Sequence, residues 1–360
     1  MKKIFREITE AEFEKFIKTC PNKNYMQSVE MFRRYQEIGR EAYLLGVVEN
    51  DIVIAAGIAS VIYERFGYKI FTFSRGPLAD YKNNIKSFYY LLEQSKKFLK
   101  EKRGIILQIS PNLLVPDAKE SFKSDLKNLS FKYLGEYEQV KWIYTINFDK
   151  IENLPKVKPP KKATELLNPN LDKDAEQIIF RNFRKGHRYL IRYATERYNL
   201  SLRELKPEEY NIMFKLLEEA GKVHNFIPRD QKFFEQMHKT FNGKATTVIA
   251  ELPDKTPVAV GFFIIYGDEI IYLSSGLSRE HKQLGGPHLI QWNMIRYAYA
   301  NGFKKYNFWG TNPDPNDGVF NFKQGFHGEV EEFVGTFAAP LNITGKLYLK
   351  KLKAAEHRDL

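Results

Sequence analysis

The sequence predicts a mixed α/β protein made of two units of one kind. Three observations carry this. The length of 360 residues suits two domains at roughly 100–200 residues each. The order strand–strand–strand–helix–strand occurs twice along the chain. A stretch rich in proline and lysine over 152–170 separates the two occurrences. No residue-level repeat accompanies the duplication, which rests on element order alone.

In chain order, 11–18 and 28–38 carry apolar residues at helical spacing, with a loop over 24–28 between them. The segments 42–49 and 52–61 are β-rich and flank Asn50-Asp51, a hairpin signal. A strand at 69–74 stops at Arg75-Gly76-Pro77. An amphipathic helix over 84–102, then strands at 105–110, 131–134 and 140–148, complete a first domain over 1–150. The 152–170 stretch reads as a surface connection between domains. The second domain, 151–335, opens with helices at about 172–196, 207–220 and 230–241. Strands at 246–251, 258–266 and 270–275 follow, parted by turns at Pro253-Asp254 and Gly267-Asp268. A helix over 287–301 and a strand at 305–309 close the pattern.

Composition narrows the function. The 43% hydrophobic content, with 28 Phe and 21 Tyr, is ample for a core and excludes wholesale disorder. One cysteine, Cys20, excludes a disulfide framework and a cysteine-built zinc site. The opening residues are basic and turn polar at once, and no window offers the roughly 20 apolar residues of a membrane span. A cytoplasmic globular protein is expected. Its net charge of +12 points to a polyanionic partner: nucleic acid, a phosphorylated metabolite or an anionic membrane surface.

Residues 180–194 concentrate that charge. Read as one helix at about 100° per residue, they place Arg181, Arg184, Lys185, Arg188 and Arg192 on one face. Phe180, Phe183, Leu190, Ile191 and Ala194 lie opposite. Within 180–194 no acid stands four residues on to relieve the repulsion. Such a face is either a solvated surface or a contact for phosphates.

The last third is the most specific. It holds Leu289-Ile290-Gln291-Trp292 opening a helix, Gly302-Phe303-Lys304-Lys305-Tyr306 leading into a strand, and Phe322-Lys323-Gln324-Gly325-Phe326 after a Gly/Asp/Pro loop. With Tyr25-Met26-Gln27-Ser28 and Glu30 near the start, and Arg188, Ile191, Arg192 and Ala194 mid-chain, the sequence resembles the Fem-type peptidoglycan aminoacyltransferases. That resemblance implies two tandem GNAT-like (acetyltransferase-like) domains, with 336–360 packing back on the first. Only about 40 residues separate the basic helix from the next strand, so the long coiled-coil arm of some relatives is not expected.

The implied reaction moves an amino acid from aminoacyl-tRNA to an amine on the stem peptide of a cell-wall precursor. The implied partners are aminoacyl-tRNA, a UDP-linked or lipid-linked muramyl pentapeptide and, peripherally, a membrane, with the chain acting as a monomer. No cofactor and no metal is expected. Lys323 would stabilise the oxyanion, with Phe322 positioning it. Arg229 and Arg34 would hold the precursor diphosphate, and Tyr272 and Ser274 would line the acceptor site. The five cations of the basic helix would meet tRNA. The sequence departs from relatives at Ser110-Pro111, often Asp-Pro, and at Phe233 and Ser274, where they carry aromatic hydroxyls.

The chemistry of such a transfer suits a lysine in that motif, although without the motif an exposed surface lysine is the ordinary reading. An ester donor needs a deprotonated amine, an aligned carbonyl and an oxyanion stabiliser, and apolar neighbours at Phe322 and Phe326 would restrain a cation and exclude water. The seven histidines show no ligand spacing, although His327 stands four residues from Lys323. Gly285-Gly286-Pro287-His288 before a helix could aim N–H groups at an anion. The rival readings are an acyl-coenzyme A N-acyltransferase, partly imitated by Gln283-Leu284-Gly285-Gly286, and a nucleic-acid-binding protein without catalysis.

Overall fold

The computed structural model describes residues 3–160, 163–224 and 227–356. The expected lysines Lys161 and Lys162 and the chain end 357–360 lie outside the described residues. The elements in chain order are β1 (Ile4–Glu7), α1 (Glu10–Thr19), α2 (Val29–Glu37), β2 (Ala42–Glu49), β3 (Ile52–Arg65), β4 (Tyr68–Phe73), β5 (Leu78–Ala79), α3 (Ile85–Glu101), β6 (Gly104–Ile109), α4 (Phe122–Asn128) and β7 (Lys132–Gly135). Next come β8 (Trp142–Asn147), α5 (Lys173–Asn182), α6 (Lys185–Glu196), β9 (Ser201–Glu204), α7 (Tyr210–His224) and α8 (Gln231–Thr240). The chain continues through β10 (Ala245–Glu251), β11 (Pro257–Tyr266), β12 (Glu269–Leu277), α9 (Gly286–Ala300), β13 (Lys305–Gly310), α10 (Gly318–Gln324), β14 (Glu329–Glu332), β15 (Thr336–Pro340) and α11 (Ile343–Glu356).

Two compact units result, one from 1–141 with 332–360 and one from 142–331. The first sheet runs β1-β2-β3-β4-β6-β15-β7, with β5 paired to β3. Asn50 and Asp51 form the two-residue turn of its β2–β3 hairpin, both at positive φ (51° and 61°), as a type I′ turn requires. Helix α3 buries Phe88, Leu91, Leu92 and Leu99, the amphipathic spacing read from sequence.

The second sheet runs β9-β10-β11-β12-β13-β8-β14, the same order read from β9. The domain boundary therefore falls after Lys141 rather than at 150. Strand β8 pairs antiparallel with β13, so its Tyr144 and Ile146 serve the second core. The returning segment is correspondingly longer than 336–360, and β15 pairs with both β6 and β7 inside the first sheet.

The 152–170 stretch is not a linker. Ile151, Leu154, Val157, Leu166, Leu167 and Leu171 pack on the second core. Asn293 on α9 accepts from the Asn168 amide (3.0 Å) and donates to the Leu166 carbonyl (2.8 Å), while Arg296 donates to the Pro169 carbonyl (3.2 Å). This strap explains why α9 buries Leu289, Ile290, Trp292, Met294, Ile295 and Ala298 rather than one narrow stripe. The sheet takes one side of the helix, and the strap and α6 take others.

The expected single helix over 172–196 is two helices. Phe183 and Arg184 are extended (ψ 152° and 145°). The Phe183 ring lies buried between Trp292 (5.6 Å) and Phe326 (5.1 Å), and the Arg184 amide donates to the Gly325 carbonyl (2.9 Å). Burying that ring outweighs the continuity of a helix whose charged face repels itself. The strand β9 was not anticipated; its four residues are too short for a period-2 signal.

Candidate active site in the second unit

The site forms where two parallel strands part. Strands β12 and β13 pair only over 269–271 and 305–307, and beyond that they diverge. A bulge follows in β13: Asn307 pairs with Thr145 and Gly310 with Ile143, which leaves Trp309 at φ 62° with its amide donating to Asn307 Oδ1 (2.7 Å). The carbonyl of Gly310 ends this strand and accepts a hydrogen bond from Lys323 Nζ.

Lys323 reaches that carbonyl from α10, whose start is fixed by Asp317. The Asp317 carboxylate accepts the Phe320 amide (2.7 Å) as the helix N-cap. Phe320 and Lys323 face inward, and Lys323 is 6% exposed. Burial penalises its charged form and lowers its pKa to about 7, against the opposing pull of Asp317. The amine is therefore divided between its two protonation states near neutrality, which an exposed lysine never is. Phe326 is fully buried, and Phe322 is half-buried with its ring 5.4 Å from that of Phe326.

The structure separates residues that the sequence grouped. A bulge between Phe262 and Phe263 on β11 sets Tyr272 opposite Phe263 but Ser274 opposite Phe262. Adjacent residues of β11 point to opposite faces, so Tyr272 and Ser274 do too. Tyr272 is a core residue, 8% exposed and stacked on Phe263 at 5.3 Å, on the α9 face. Ser274 is half-buried on the face covered by α7 and α8, where Phe262 meets Phe234 (5.3 Å). Arg229 is exposed at the start of α8 with its guanidinium 5.5 Å from the Phe233 ring centre, so the aromatic at 233 serves as a platform without a hydroxyl. Arg34 belongs to the first unit and is 7% exposed on α2.

The break at Phe183 divides the five cations. Arg181 ends α5, with its Nη2 on Gln177 Oε1 (3.1 Å), and Arg184 donates to Gln324 Oε1. Lys185, Arg188 and Arg192 remain on α6 at i, i+3 and i+7, and the Arg192 guanidinium lies 5.2 Å from the Phe180 ring centre. Among the described residues none of the five is paired with a carboxylate. Beside Arg192, a cavity of about 340 Å³ opens between α5, α6 and α9.

The glycine turn before α9 is not an open anion cradle. Gly285 is left-handed (φ 80°), and a Cβ there would stand 2.6 Å from the Leu190 carbonyl oxygen of α6. Helix α6 thus covers the turn that would receive the pyrophosphate of an acyl-coenzyme A. His327 is exposed. Sequence reasoning missed His187. Its Nε2 bonds the Phe322 carbonyl (2.8 Å), and its ring packs on His288 (4.6 Å) and Phe326 (4.7 Å). The signal was present in Gly325, since a Cβ there would fall 2.1 Å from the His187 ring.

Two sheets of one strand order, the second parted at a buried lysine, define a tandem GNAT-like protein. The chain belongs to the FemAB family, whose model matches residues 8–256 and 244–350. Among its relatives is the aminoacyltransferase FemA of Staphylococcus epidermidis, 25% identical over 407 aligned residues, covering 94% of this chain and 96% of the relative. FemA of Staphylococcus aureus is 26% identical over 406 residues, with 94% and 95% covered. These spans exceed the 360 residues of this chain, so the relatives carry inserted residues that it lacks. In fold it is similar to the crystal structure of FemX (TM-score 0.76, 19% identical, 95% of this chain and 98% of that one). It is also similar to a tandem GNAT protein from the clavulanic acid biosynthesis pathway (TM-score 0.55, 10% identical, 95% and 99% covered).

Proposed function

We propose that this chain transfers an aminoacyl group from aminoacyl-tRNA to an amine on the stem peptide of a peptidoglycan precursor, building an interpeptide bridge. The observation that carries this reading is the buried Lys323 amine at the open end of the parted β12–β13 pair. The donor ester carbonyl enters that gap. The acceptor amine attacks it, the C–N bond forms, and the carbonyl π electrons move to oxygen beside the Lys323 ammonium. Collapse of this tetrahedral centre breaks the C–O bond to the ribose, and the proton lost by the amine leaves with the ribose hydroxyl. Lys323 is not consumed. Its burial makes one charge worth far more to the oxyanion than it would be in water.

The two faces of the second sheet suit the two substrates. Lys185, Arg188 and Arg192 of α6 take the phosphates of the RNA donor. Ser274 and Arg229, on the α7–α8 face, receive the acceptor, with Arg229 on its diphosphate. A tRNA donor places the chain in the cytoplasm, acting as a monomer that meets the membrane only at its periphery when the acceptor is lipid-linked. The test is incubation with charged tRNAs and UDP-linked muramyl pentapeptide, followed by mass analysis. An added aminoacyl mass that requires charged tRNA supports the reading. An acyl mass drawn from acyl-coenzyme A overturns it.

A further inference from the structure

The C-terminal end of α10, which carries Lys323, is held by the N-terminal end of α6. The last carbonyls of any helix lack i→i−4 partners; in the seven-residue α10 those of Lys323 and Gln324 are taken by the Phe326 and His327 amides (3.0 Å each), and α6 meets the rest of the turn. The Arg184 amide donates to the Gly325 carbonyl (2.9 Å), the Arg184 guanidinium to the Gln324 side chain, and His187 Nε2 to the Phe322 carbonyl (2.8 Å). Within the helix the Phe322 carbonyl has one long bond, from the Gly325 amide (3.3 Å), so His187 is its shorter partner. A carbonyl only accepts, so the imidazole must carry its proton on Nε2. The ring is locked in that pose by His288 (4.6 Å), Phe322 (5.9 Å) and Phe326 (4.7 Å), and by the absence of a side chain at Gly325.

We propose that His187 is a positioning residue for aminoacyl transfer: its Nε2–H fixes the Phe322 carbonyl, and with it the turn of α10 that aims Lys323 at the reaction centre. This rests on the role given to Lys323 above and goes beyond it. One face of α6 presents cations to the RNA, while its first turn and His187 set the catalytic helix. Burial chiefly lowers the His187 pKa; the Phe322 carbonyl opposes it, and Arg184 at the start of α6 and His327 beyond α10 lower it further, while His288 of α9 faces the ring. His288, itself lowered to about 3 by burial, stays neutral throughout. The neutral Nε2–H form already donates, so the bond persists across the working range.

Two variants of similar volume test this in the full chain. His187→Gln keeps an N–H near the position of Nε2, and His187→Met does not. His187→Met is expected to lower kcat about ten- to a hundredfold, the scale of a displaced catalytic group. KM for the acceptor and affinity for the RNA donor should stay within about twofold, since no substrate contact is lost. His187→Gln should recover most of kcat. A second readout needs no substrate: the NMR titration of 13Cε-labelled Lys323. Its midpoint, about 7 in the wild type, should rise in His187→Met as water reaches the loosened amine, and should hold in His187→Gln. That titration separates the two readings, because it responds to His187 even if the transfer assay shows the donor or acceptor to be wrong. Unchanged kcat and titration in His187→Met overturn the proposal. Equal impairment of both variants also overturns it, because the imidazole would then act by packing alone.

Discussion

The two units share a strand order, and one difference between them bears on the candidate site. In the first, the parallel pair β4–β6 stays closed from Lys69 and Gly104 to Phe73 and Ile109, and the Ser110 amide still donates to the Phe73 carbonyl (3.2 Å). In the second, the equivalent pair β12–β13 closes for three residues and then opens. The helix that follows differs in step. Where α4 buries Phe122 and Leu126, α10 buries Phe320 and Lys323. A closed pair satisfies its own backbone and gives stability, whereas an open pair leaves a gap beside the buried charge of Lys323. Duplication of a fold therefore does not duplicate a site: what matters is how far one strand pair extends.

The largest effect should come from the element that completes the closed sheet. Ending the chain at Gly335 removes β15 and exposes the β6 and β7 edges it joins. Hydrogen exchange should show β6 and β7 losing protection, because an interior strand cannot be peeled away without opening both neighbours. Protection retained in β6 would mean that the return strand is peripheral and the comparison mistaken.

Next is Lys323→Met, expected to cut kcat by two to three orders of magnitude, about the loss of one oxyanion donor, with little change in acceptor KM. A near-normal kcat would place the chemistry away from the parted pair. The same change should raise stability at neutral pH. The folded pKa of Lys323 lies below its unfolded value, so the unfolded chain binds more protons between about 7 and 10.5. Its cost is thus full below pH 7 and fades towards 10.5. Each kcal/mol relieved is worth about 2–4 °C in Tm for a domain of this size, and the gain should shrink as pH rises.

Reversal of Lys185, Arg188 and Arg192 to Glu should weaken RNA binding and reduce its salt slope by about 2 to 3, the share of three phosphates. Arg184 is left in place because it holds α10. An unchanged slope would make this face a solvated one. Arg229→Ala should raise KM about tenfold for a diphosphate-linked acceptor, the weight of a charged hydrogen bond, and leave a bare stem peptide unaffected. Equal effects on both would remove the diphosphate from Arg229.

The smallest effect decides the role of the lysine. If the ammonium stabilises the oxyanion, the ratio of wild-type to Lys323→Met rates falls as pH rises through about 7. If the free amine were a base, the ratio would rise. Taking the ratio cancels the ionisation of the acceptor amine.

Most of this was legible in the sequence for local reasons. Alternation and helical spacing gave β2, β3, α3 and β10–β13 nearly to their ends, because each buries one regular face. Phe322-Lys323-Gln324-Gly325-Phe326 announced a cation among aromatics. The Tyr272–Ser274 pairing failed because a single bulge residue, Leu273, turns one of the two to the other face. The 152–170 strap failed because its scattered leucines follow no period and find their partners only on α9.

By itself the sequence determined the class of each long element, the duplicated order, the basic face and the lysine within its motif, all of which depend on neighbours within a few residues. Only the tertiary structure decided which sheet takes β8 and β15, where the basic helix breaks, and that Lys323 titrates near neutrality. A short strand carries no label for its partner, and a lysine's charge depends on whether water can reach it. Both are settled by residues hundreds of positions apart or by a carbonyl such as that of Gly310, which any residue could supply and only the fold can place.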